Sequence, residues 1–194
     1  MKNSFFALIS RMRYIGRWGL MRNSSPENIQ EHSHMVAVIA HALAVIRRDV
    51  FGGEIDPNLV ATAALYHDAS EIFTGDLPSP IKYLNRDILA AYRQVEDVAM
   101  DKLLRLLPEQ LQDSYNPLLV SVDQHVHELI KAADRLSAYI KCLEELRAGN
   151  DEFQAAKREI LRSIEENPLP ETAYFLEHFI PAFHLTLDEL DLSV

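Results

Sequence analysis

Three side chains that bind metals or carry protons lie within five residues of one another in an otherwise apolar stretch. His67 and Asp68 are adjacent in ALYHDASEIFTGDLPSP, and Glu71 follows about one helical turn later. Charged and titratable groups are seldom buried in a helix unless a partner compensates them. The stretch therefore indicates a functional site, and the nature of the compensating group decides its chemistry.

Two further polar residues lie beside the core-facing stripes of other predicted helices. His32 comes one turn before the first stripe, and Asp134 lies next to the second. Either residue alone is more often structural or solvated than functional, but the two together with His67 and Asp68 point to a shared site. The first stripe is Val36, Ile39, Leu43 and Ile46, and the second is Leu129, Ala133, Leu136, Ile140 and Leu143.

Two histidines and two aspartates form a donor set that suits a borderline or hard divalent cation. Such a cation neutralises buried carboxylates, and the set leaves positions of an octahedral ion free for water and substrate. Glu71 lies on the same side of the helix as His67 and Asp68. A carboxylate there serves as a general acid or base toward a metal-bound water. The pattern predicts a metal centre with its own proton carrier.

The elements that position these residues are predicted to be helices. Asn28 followed by Glu31 is a capping-box signature, and Asp56 before Pro57 marks the start of the helix that carries His67. After that helix, GDLPSP is predicted to be a rigid polar loop because its prolines restrict the backbone. The predicted helices cover about 4–13, 28–48, 57–75, 86–107, 123–148, 151–166 and 171–182, with a looser, proline-bounded stretch at 108–120.

Composition narrows the class of protein. Only 6 glycines in 194 residues, with abundant Leu, Ala, Glu and Ile, favour an all-α fold. Because no repeat, low-complexity tract or linker is evident, one domain over residues 1–194 is expected. A formal net charge of −10 argues against a nucleic acid polymer as partner. The single cysteine, Cys142, and the lack of a signal peptide or membrane span in the sequence predict a soluble cytoplasmic protein.

The order of these motifs resembles a known superfamily. The pattern H…HD…D on helices is the signature of the HD-domain metal-dependent phosphohydrolases. Further segments resemble the bacterial 5′-deoxynucleotidases of that superfamily, the YfbR type, over nearly the whole chain. These segments are RW at Arg17 and Trp18, ENIQEHSHMVAVIAHAL, ALYHDASEIFTGDLPSPIKY, KAADRLSAYIKCLEELRAGN and FHLTLDEL.

The resemblance implies a single HD-domain helical bundle that removes the 5′-phosphate from deoxyribonucleoside 5′-monophosphates. Arg17 and Trp18 are implied to engage and orient the phosphate, and Glu71 to act as the catalytic acid or base. Asp76 is implied to contact the sugar. The implied metal ligands are His32, His67, Asp68 and Asp134. The implied substrate contacts are Arg17, Trp18, His32, Asp68, Asp76, Leu77, Pro78, Ser79 and Asp134.

Ser79 departs from the family, which has threonine at this point of the loop. The serine keeps the hydroxyl, although without the β-branch its rotamer is less restricted. The family also implies one divalent cation per chain, Co²⁺, Mn²⁺ or similar, and a homodimer. The apolar residues Tyr174, Phe175 and Phe179 are suited equally to a dimer interface and to the core.

Other interpretations remain open at the level of sequence. Trp18 is as well suited to closing the base of the core as to binding phosphate. An HD phosphohydrolase for nucleoside triphosphates, cyclic nucleotides or guanosine alarmones is less favoured, because no basic run is present to hold a polyphosphate. A non-catalytic module is less favoured because a structural metal needs neither Arg17 nor Glu71. His34 and His41 are interpreted as peripheral, and His125 and His127 as solvated or capping residues.

Overall fold

The computed structural model describes residues 3–82 and 84–190, apart from the side chain of Ser79, and this part of the chain is helical without strands. The predicted all-α class is confirmed. The α-helices are α1 (Phe5–Ile9), α2 (Ile29–Asp49), α3 (Pro57–Ala64), α4 (Glu71–Thr74), α5 (Ser79–Lys82), α6 (Arg86–Arg105), α7 (Glu109–Leu119), α8 (Gln124–Arg147), α9 (Gln154–Glu166) and α10 (Pro170–His178). Short 3₁₀ helices cover Ser10–Tyr14, Asp151–Phe153 and Ile180–His184.

Helices α2 and α8 form the centre of the main core, with α3, α9 and α10 packed around them. Both predicted stripes are buried, and His32 is fully buried at the start of α2. The predicted capping box is present, since the Asn28 side chain accepts from the Glu31 N–H and the Glu31 carboxylate accepts from the Asn28 N–H. The starts of α2 and of α3, which Asp56 caps, are thus fixed locally.

By length and composition, α2 is apolar enough to cross a membrane. However, 56% of its most apolar window is buried inside the protein. Its apolar residues therefore form the central packing surface of the bundle.

The helix predicted over 57–75 is wrong in its second half. It ends at Ala64, residues 65–70 form successive tight turns, and the helix resumes only at Glu71. The Ala64 carbonyl, which in an α-helix accepts from the residue four positions on, instead accepts from the N–H and from ring Nδ1 of His67. Bonds of the 3₁₀ type continue the turn, including Glu71 N–H to Asp68 C=O at 3.0 Å.

Two smaller predictions of irregular structure are also corrected. The looser stretch at 108–120 contains helix α7, which includes Pro117 near its end. The predicted GDLPSP loop is shorter than expected, because the chain turns into α5 at Ser79. Main-chain bonds from Ile81 and Lys82 to the Pro78 carbonyl stabilise that turn.

The loop that carries Arg17 and Trp18 is joined to the segment just before α2. Gly16 and Asn28 form an isolated antiparallel bridge, flanked by main-chain bonds from Arg17 to Glu27 and from Ile29 to Ile15. This bridge brings the loop alongside the N-terminal turn of α2, where His32 lies.

A buried carboxylate holds the far end of the same loop against α8. Glu145, 1% exposed, accepts hydrogen bonds from the N–H groups of Ser24 and Ser25, from Lys141 and from the Asn150 side chain. Burial favours the neutral acid, but these donors outweigh it and lower the pKa of Glu145 below its usual range. Because all the donors bind the ionised form, the anchor depends on the charge of Glu145.

Replacing Glu145 by Gln is expected to lower the free energy of unfolding at pH 7 by about 3 kcal/mol, because it leaves the buried Lys141 cation without its counter-charge. The wild-type advantage is full above about pH 4.3, the usual pKa of an unfolded glutamate. It is lost as the pH falls below that value, because the folded-state pKa is the lower one. Urea unfolding at pH 7 and at several values down to about pH 3 measures both effects.

The matched control is Glu152→Gln, because Glu152 pairs with Arg22 of the same loop but has a side chain 46% exposed. Its unfolding free energy is expected to change by less than about 0.5 kcal/mol. A Glu145→Gln deficit that stays constant down to the lowest pH would contradict the charge-dependent anchor.

Candidate metal and phosphate site

His32 lies between two carboxylates that come from different parts of the fold. Its Nε2 is 3.0 Å from Oδ1 of Asp134 on α8 and 3.6 Å from Oδ2 of Asp68 in the turn after α3. On the other side of the ring, Nδ1 is 3.3 Å from the Ser137 hydroxyl. The buried imidazole is thus oriented by Ser137, with Nε2 directed at both acids.

His67 completes the cluster from the turn after α3. Its Nδ1 lies 2.8 Å from the Ala64 carbonyl, so Nδ1 carries a proton as the donor of this bond. Its Nε2 is buried and has no hydrogen-bond partner among the described residues, although Oδ2 of Asp68 is 3.1 Å away. In metal-ligating histidines one ring nitrogen commonly donates to a carbonyl while the other is left to bind the metal. His67 has this arrangement.

The donor atoms fit one cation. His32, His67 and Asp68 each offer a ligand atom within 4.8 Å of the others. Asp134 lies outside that tight group but contacts His32, and its side chain is 41% exposed. Two imidazoles and two carboxylates, with one buried nitrogen lacking a partner, match the ligands of a divalent metal. The structure therefore groups three of the four predicted ligands and places the fourth, Asp134, against His32.

The charges of the cluster favour a positive ion at this point. Burial alone would lower the pKa of His67, but Asp68 and, more weakly, Asp134 outweigh burial and raise it to about 9. Burial also acts against ionised Asp68 and Asp134, yet the neighbouring histidines keep the pKa of each below its usual range. The acids stay ionised because positive charge lies beside them.

Arg17 and Trp18 lie in the loop before α2, and Arg17 is close to the acids of the same cluster. Arg17 lies near enough to Asp134, Glu27, Asp68 and Asp76 for these acids to raise the pKa of its guanidinium, against the effect of burial. The Trp18 indole packs on Phe153 with ring centroids 5.2 Å apart. Arg17 is therefore beside the predicted metal ligands, whereas the partly buried Trp18 contacts the core and lies under the Arg17 guanidinium, 5.9 Å from it.

Glu71 and Asp76 are acids whose pKa values are raised above the usual range. Burial, followed by repulsion from Asp68 and Asp76, raises the pKa of Glu71 to about 9. Its Oε2 is buried without a hydrogen-bond partner among the described residues. Burial also raises the pKa of Asp76, opposed by Arg17 and by a hydrogen bond from the Trp18 main chain. Glu71 is thus a neutral acid at pH 7 beside ionised Asp68.

The remaining predicted residues lie as follows. Leu77 and Pro78 are partly buried in the segment between α4 and α5, next in the chain to Asp76. The side chain of Ser79 lies outside the described residues. The two histidines interpreted as peripheral, His34 and His41, are exposed, and so are His125 and His127.

Two residues of the site were not predicted. Ser137 orients His32, and its signal is its position one turn after Asp134, where a small polar residue interrupts an apolar stripe. Glu27 accepts from Arg17 at 3.2 Å and from the Trp18 indole at 3.0 Å. The sequence carries no local signal for Glu27, because its contacts depend on the bridge between two separate segments.

The helical fold and the His/Asp cluster are those of the HD-domain phosphohydrolases. An HD-domain phosphohydrolase from Listeria innocua superposes with a TM-score of 0.80 and 25% identity, covering 93% of this chain and 88% of that structure. An HD phosphohydrolase of cyanophage S-2L, solved bound to dA and one catalytic Zn²⁺ ion, shares the fold at a TM-score of 0.62 and 20% identity. The superposition covers 90% of this chain and 95% of that structure.

Sequence comparison identifies the family. The family described as 5′-deoxynucleotidase YfbR-like matches residues 4–183. A 5′-deoxynucleotidase from Vibrio parahaemolyticus is 49% identical over 98% of this chain and 100% of its own length. YfbR from Escherichia coli is also 49% identical, over 98% of this chain and 97% of its own length. The chain belongs to the YfbR-like 5′-deoxynucleotidase family and is a phosphoric monoester hydrolase, as the sequence motifs predicted.

Replacing Asp68 by Ala is expected to remove bound metal and activity together, since it deletes a charged donor that faces both histidines. Metal content after dialysis, measured by mass spectrometry, is expected to fall at least about 10-fold relative to wild type. The control is Asp97→Ala, an exposed acid on α6 that should leave metal content unchanged. An unaltered bound ion in the Asp68 variant would show that this carboxylate is not a ligand.

Proposed function

We propose that this 5′-deoxynucleotidase works through one divalent cation held by four side chains. The observation that carries the proposal is the buried Nε2 of His67, which has no hydrogen-bond partner among the described residues while Nδ1 is fixed by the Ala64 carbonyl. A buried nitrogen is costly without a partner, and a cation shared with Asp68 supplies one. The proposed ligands are His32, His67, Asp68 and Asp134.

The donor set restricts the cation to a few divalent metals. Imidazole and carboxylate ligands suit Co²⁺, Mn²⁺ and Zn²⁺, and availability in the cell decides among them as much as affinity does. Zn²⁺ is the ion bound by the cyanophage relative, while Co²⁺ or Mn²⁺ is our sequence-based expectation. When bound, such an ion polarises a phosphoryl oxygen and lowers the pKa of a coordinated water.

Arg17 and Trp18 are proposed to hold the phosphate of the substrate. Arg17 has five N–H donors in a planar fork, and Glu27 accepts from Nη1, which leaves donors for phosphate oxygens. Asp68 and Asp134 act electrostatically on Arg17, so a phosphate bound by the guanidinium lies close to the metal ligands. The Trp18 indole closes one side of this space against Phe153.

Glu71 is proposed as the catalytic acid or base. It is protonated at neutral pH because of burial and of repulsion from Asp68. Since this repulsion is part of the shift, the pKa of Glu71 falls toward neutrality when Asp68 binds a cation. A pKa near the working pH suits a group that protonates the leaving 5′ oxygen or takes the proton of the attacking water.

Asp76 is proposed to select the deoxyribose. It follows Gly75, whose φ of 71° lies in the left-handed region, so the chain turns sharply just before the acid. A carboxylate there accepts a bond from a sugar hydroxyl and, crowded against the 2′ position, disfavours a ribose 2′-OH. Leu77, Pro78 and Ser79 are proposed to complete the contact with the nucleoside.

We also propose a domain organisation, a cellular location and an oligomeric state. We expect residues 1–194 to act as one domain in the cytoplasm, where the free, buried Cys142 stays reduced. We also expect a homodimer, supported by exposed apolar side chains such as Phe179, which is 44% exposed, and Val98, which is 68% exposed. Phe175 belongs to the core instead, and Tyr174 packs against it. A monomer mass in sedimentation equilibrium would contradict the dimer.

Replacing Glu71 by Gln should preserve metal and nucleotide binding but lower kcat by about 10²- to 10⁴-fold, because the amide has the shape of the neutral acid and cannot transfer a proton. Single-turnover phosphate release from dAMP measures the loss, and equilibrium dialysis measures binding. Glu159→Gln on the exposed face of α9 is the control. Near wild-type turnover with full metal occupancy would exclude Glu71 as the proton carrier.

The activity itself is tested by phosphate release from a panel of ribo- and deoxynucleoside monophosphates with Zn²⁺, Co²⁺, Mn²⁺ or Mg²⁺. The wild-type chain is expected to prefer dAMP to AMP. Asp76→Ala is expected to reduce that preference by at least about 10-fold, since it removes the carboxylate that opposes the 2′-OH. The matched control is Asp87→Ala, an exposed acid at the start of α6.

Two outcomes would contradict these assignments. If the dAMP to AMP ratio is the same in Asp76→Ala as in wild type, sugar selection lies elsewhere. If the wild-type chain releases phosphate from none of the monophosphates with any of the four metals, the proposed substrate class is wrong.

A further inference from the structure

Glu27 lies directly opposite Arg17 across the antiparallel bridge. The Arg17 N–H donates to the Glu27 carbonyl at 2.9 Å, and the next bond of the ladder runs from Ile29 to Ile15 at 3.0 Å. Residues opposite one another in such a ladder have neighbouring side chains. The backbone therefore places the Glu27 carboxylate beside the Arg17 guanidinium.

One carboxylate contacts three residues of the site. Oε2 of Glu27 accepts from Arg17 Nη1 at 3.2 Å and from Trp18 Nε1 at 3.0 Å. Oε1 lies 3.9 Å from Nδ1 of His32, on the side of the ring opposite the proposed metal. The side chain is only 16% exposed, so these contacts are shielded from water and from screening by salt.

The backbone of Trp18 is in a strained conformation that contacts such as the one with Glu27 must hold. Its φ of 61° makes it the one non-glycine residue in the left-handed region among those described. A bulky residue in that conformation costs on the order of 1–3 kcal/mol and persists only when its surroundings hold it. The hydrogen bond from the indole to Glu27 and the packing on Phe153 hold the ring, and the strain points to a functional orientation.

We propose that Glu27 is a positioning residue for phosphate hydrolysis. Its carboxylate fixes the guanidinium of Arg17 and the indole of Trp18 relative to His32, so that the phosphate is aligned with the metal site before substrate binds. The proposal rests on the proposed function, in which Arg17 binds the phosphate. Glu27 acts through Arg17 and Trp18 and does not itself contact the substrate.

A double-mutant cycle tests this role on the metal-loaded enzyme. Glu27→Gln is expected to lower kcat/KM for dAMP by about 10- to 100-fold, as for other residues that orient a metal site, with metal content unchanged. Inhibition by inorganic phosphate is expected to weaken in parallel. In an Arg17→Ala background, Glu27→Gln is expected to cost less than about 3-fold more, because the guanidinium is gone and only the Trp18 indole remains to be positioned.

The controls separate positioning from a structural role. Glu152→Gln, which removes an exposed acid paired with the same loop, should leave kcat/KM unchanged. Glu27→Asp keeps the charge but is one methylene shorter, so its kcat/KM should lie between those of wild type and Glu27→Gln. If Glu27→Gln does not fold, the cycle is run with Glu27→Asp.

The outcomes distinguish a failure of this inference from a failure of the proposed function on which it rests. Equal losses from the Glu27 change in both backgrounds, or unaltered phosphate inhibition, would overturn positioning through Arg17 while leaving the function intact. Wild-type kcat/KM in Arg17→Ala alone would overturn the role of Arg17 and the inference together.

Discussion

The convergence of two carboxylates on one buried imidazole is the constraint on which the rest of this structure depends. Asp68 and Asp134 approach the same nitrogen of His32 at 3.6 and 3.0 Å, in a part of the fold where ionised acids are costly. Positive charge stabilises both acids there, and the raised pKa of His67 reflects the same effect. A divalent cation stabilises them more fully than a proton, since it neutralises both acids at once.

The broken helix after α3 lets one short segment serve this centre. In a continuous α-helix, His67 and Asp68 would project about 100° apart, and only one would face the core squarely. The bond from the His67 ring to the Ala64 carbonyl replaces the regular helical bond, and the chain tightens into turns. His67 and Asp68 then reach the same point, and Glu71 begins a new helix as a buried neutral acid beside them.

The sequence predicted what depends on local signals and missed what depends on tertiary contacts. The capping box at Asn28, the cap at Asp56 and both apolar stripes act within a few residues, so the helices and the core followed from them. The four proposed ligands could be named from the sequence because His and Asp beside the core-facing stripes of helices are rare. The break after Ala64 was missed because it depends on a side-chain bond that competes with a strong helical pattern. Glu27 was missed because it meets Arg17 only through a bridge between separate segments.

Charge balance connects the centre to the substrate. Arg17 is surrounded by Glu27, Asp68, Asp76 and Asp134, all of which raise the pKa of its guanidinium. These four acids outnumber the positive charges of Arg17 and His67, and the whole chain carries −10. An anionic phosphate is therefore opposed by the protein's own field unless a divalent cation offsets Asp68 and Asp134. With that offset, Arg17 would be free to act on the phosphate, so in the proposed function metal binding would govern substrate binding as well as chemistry.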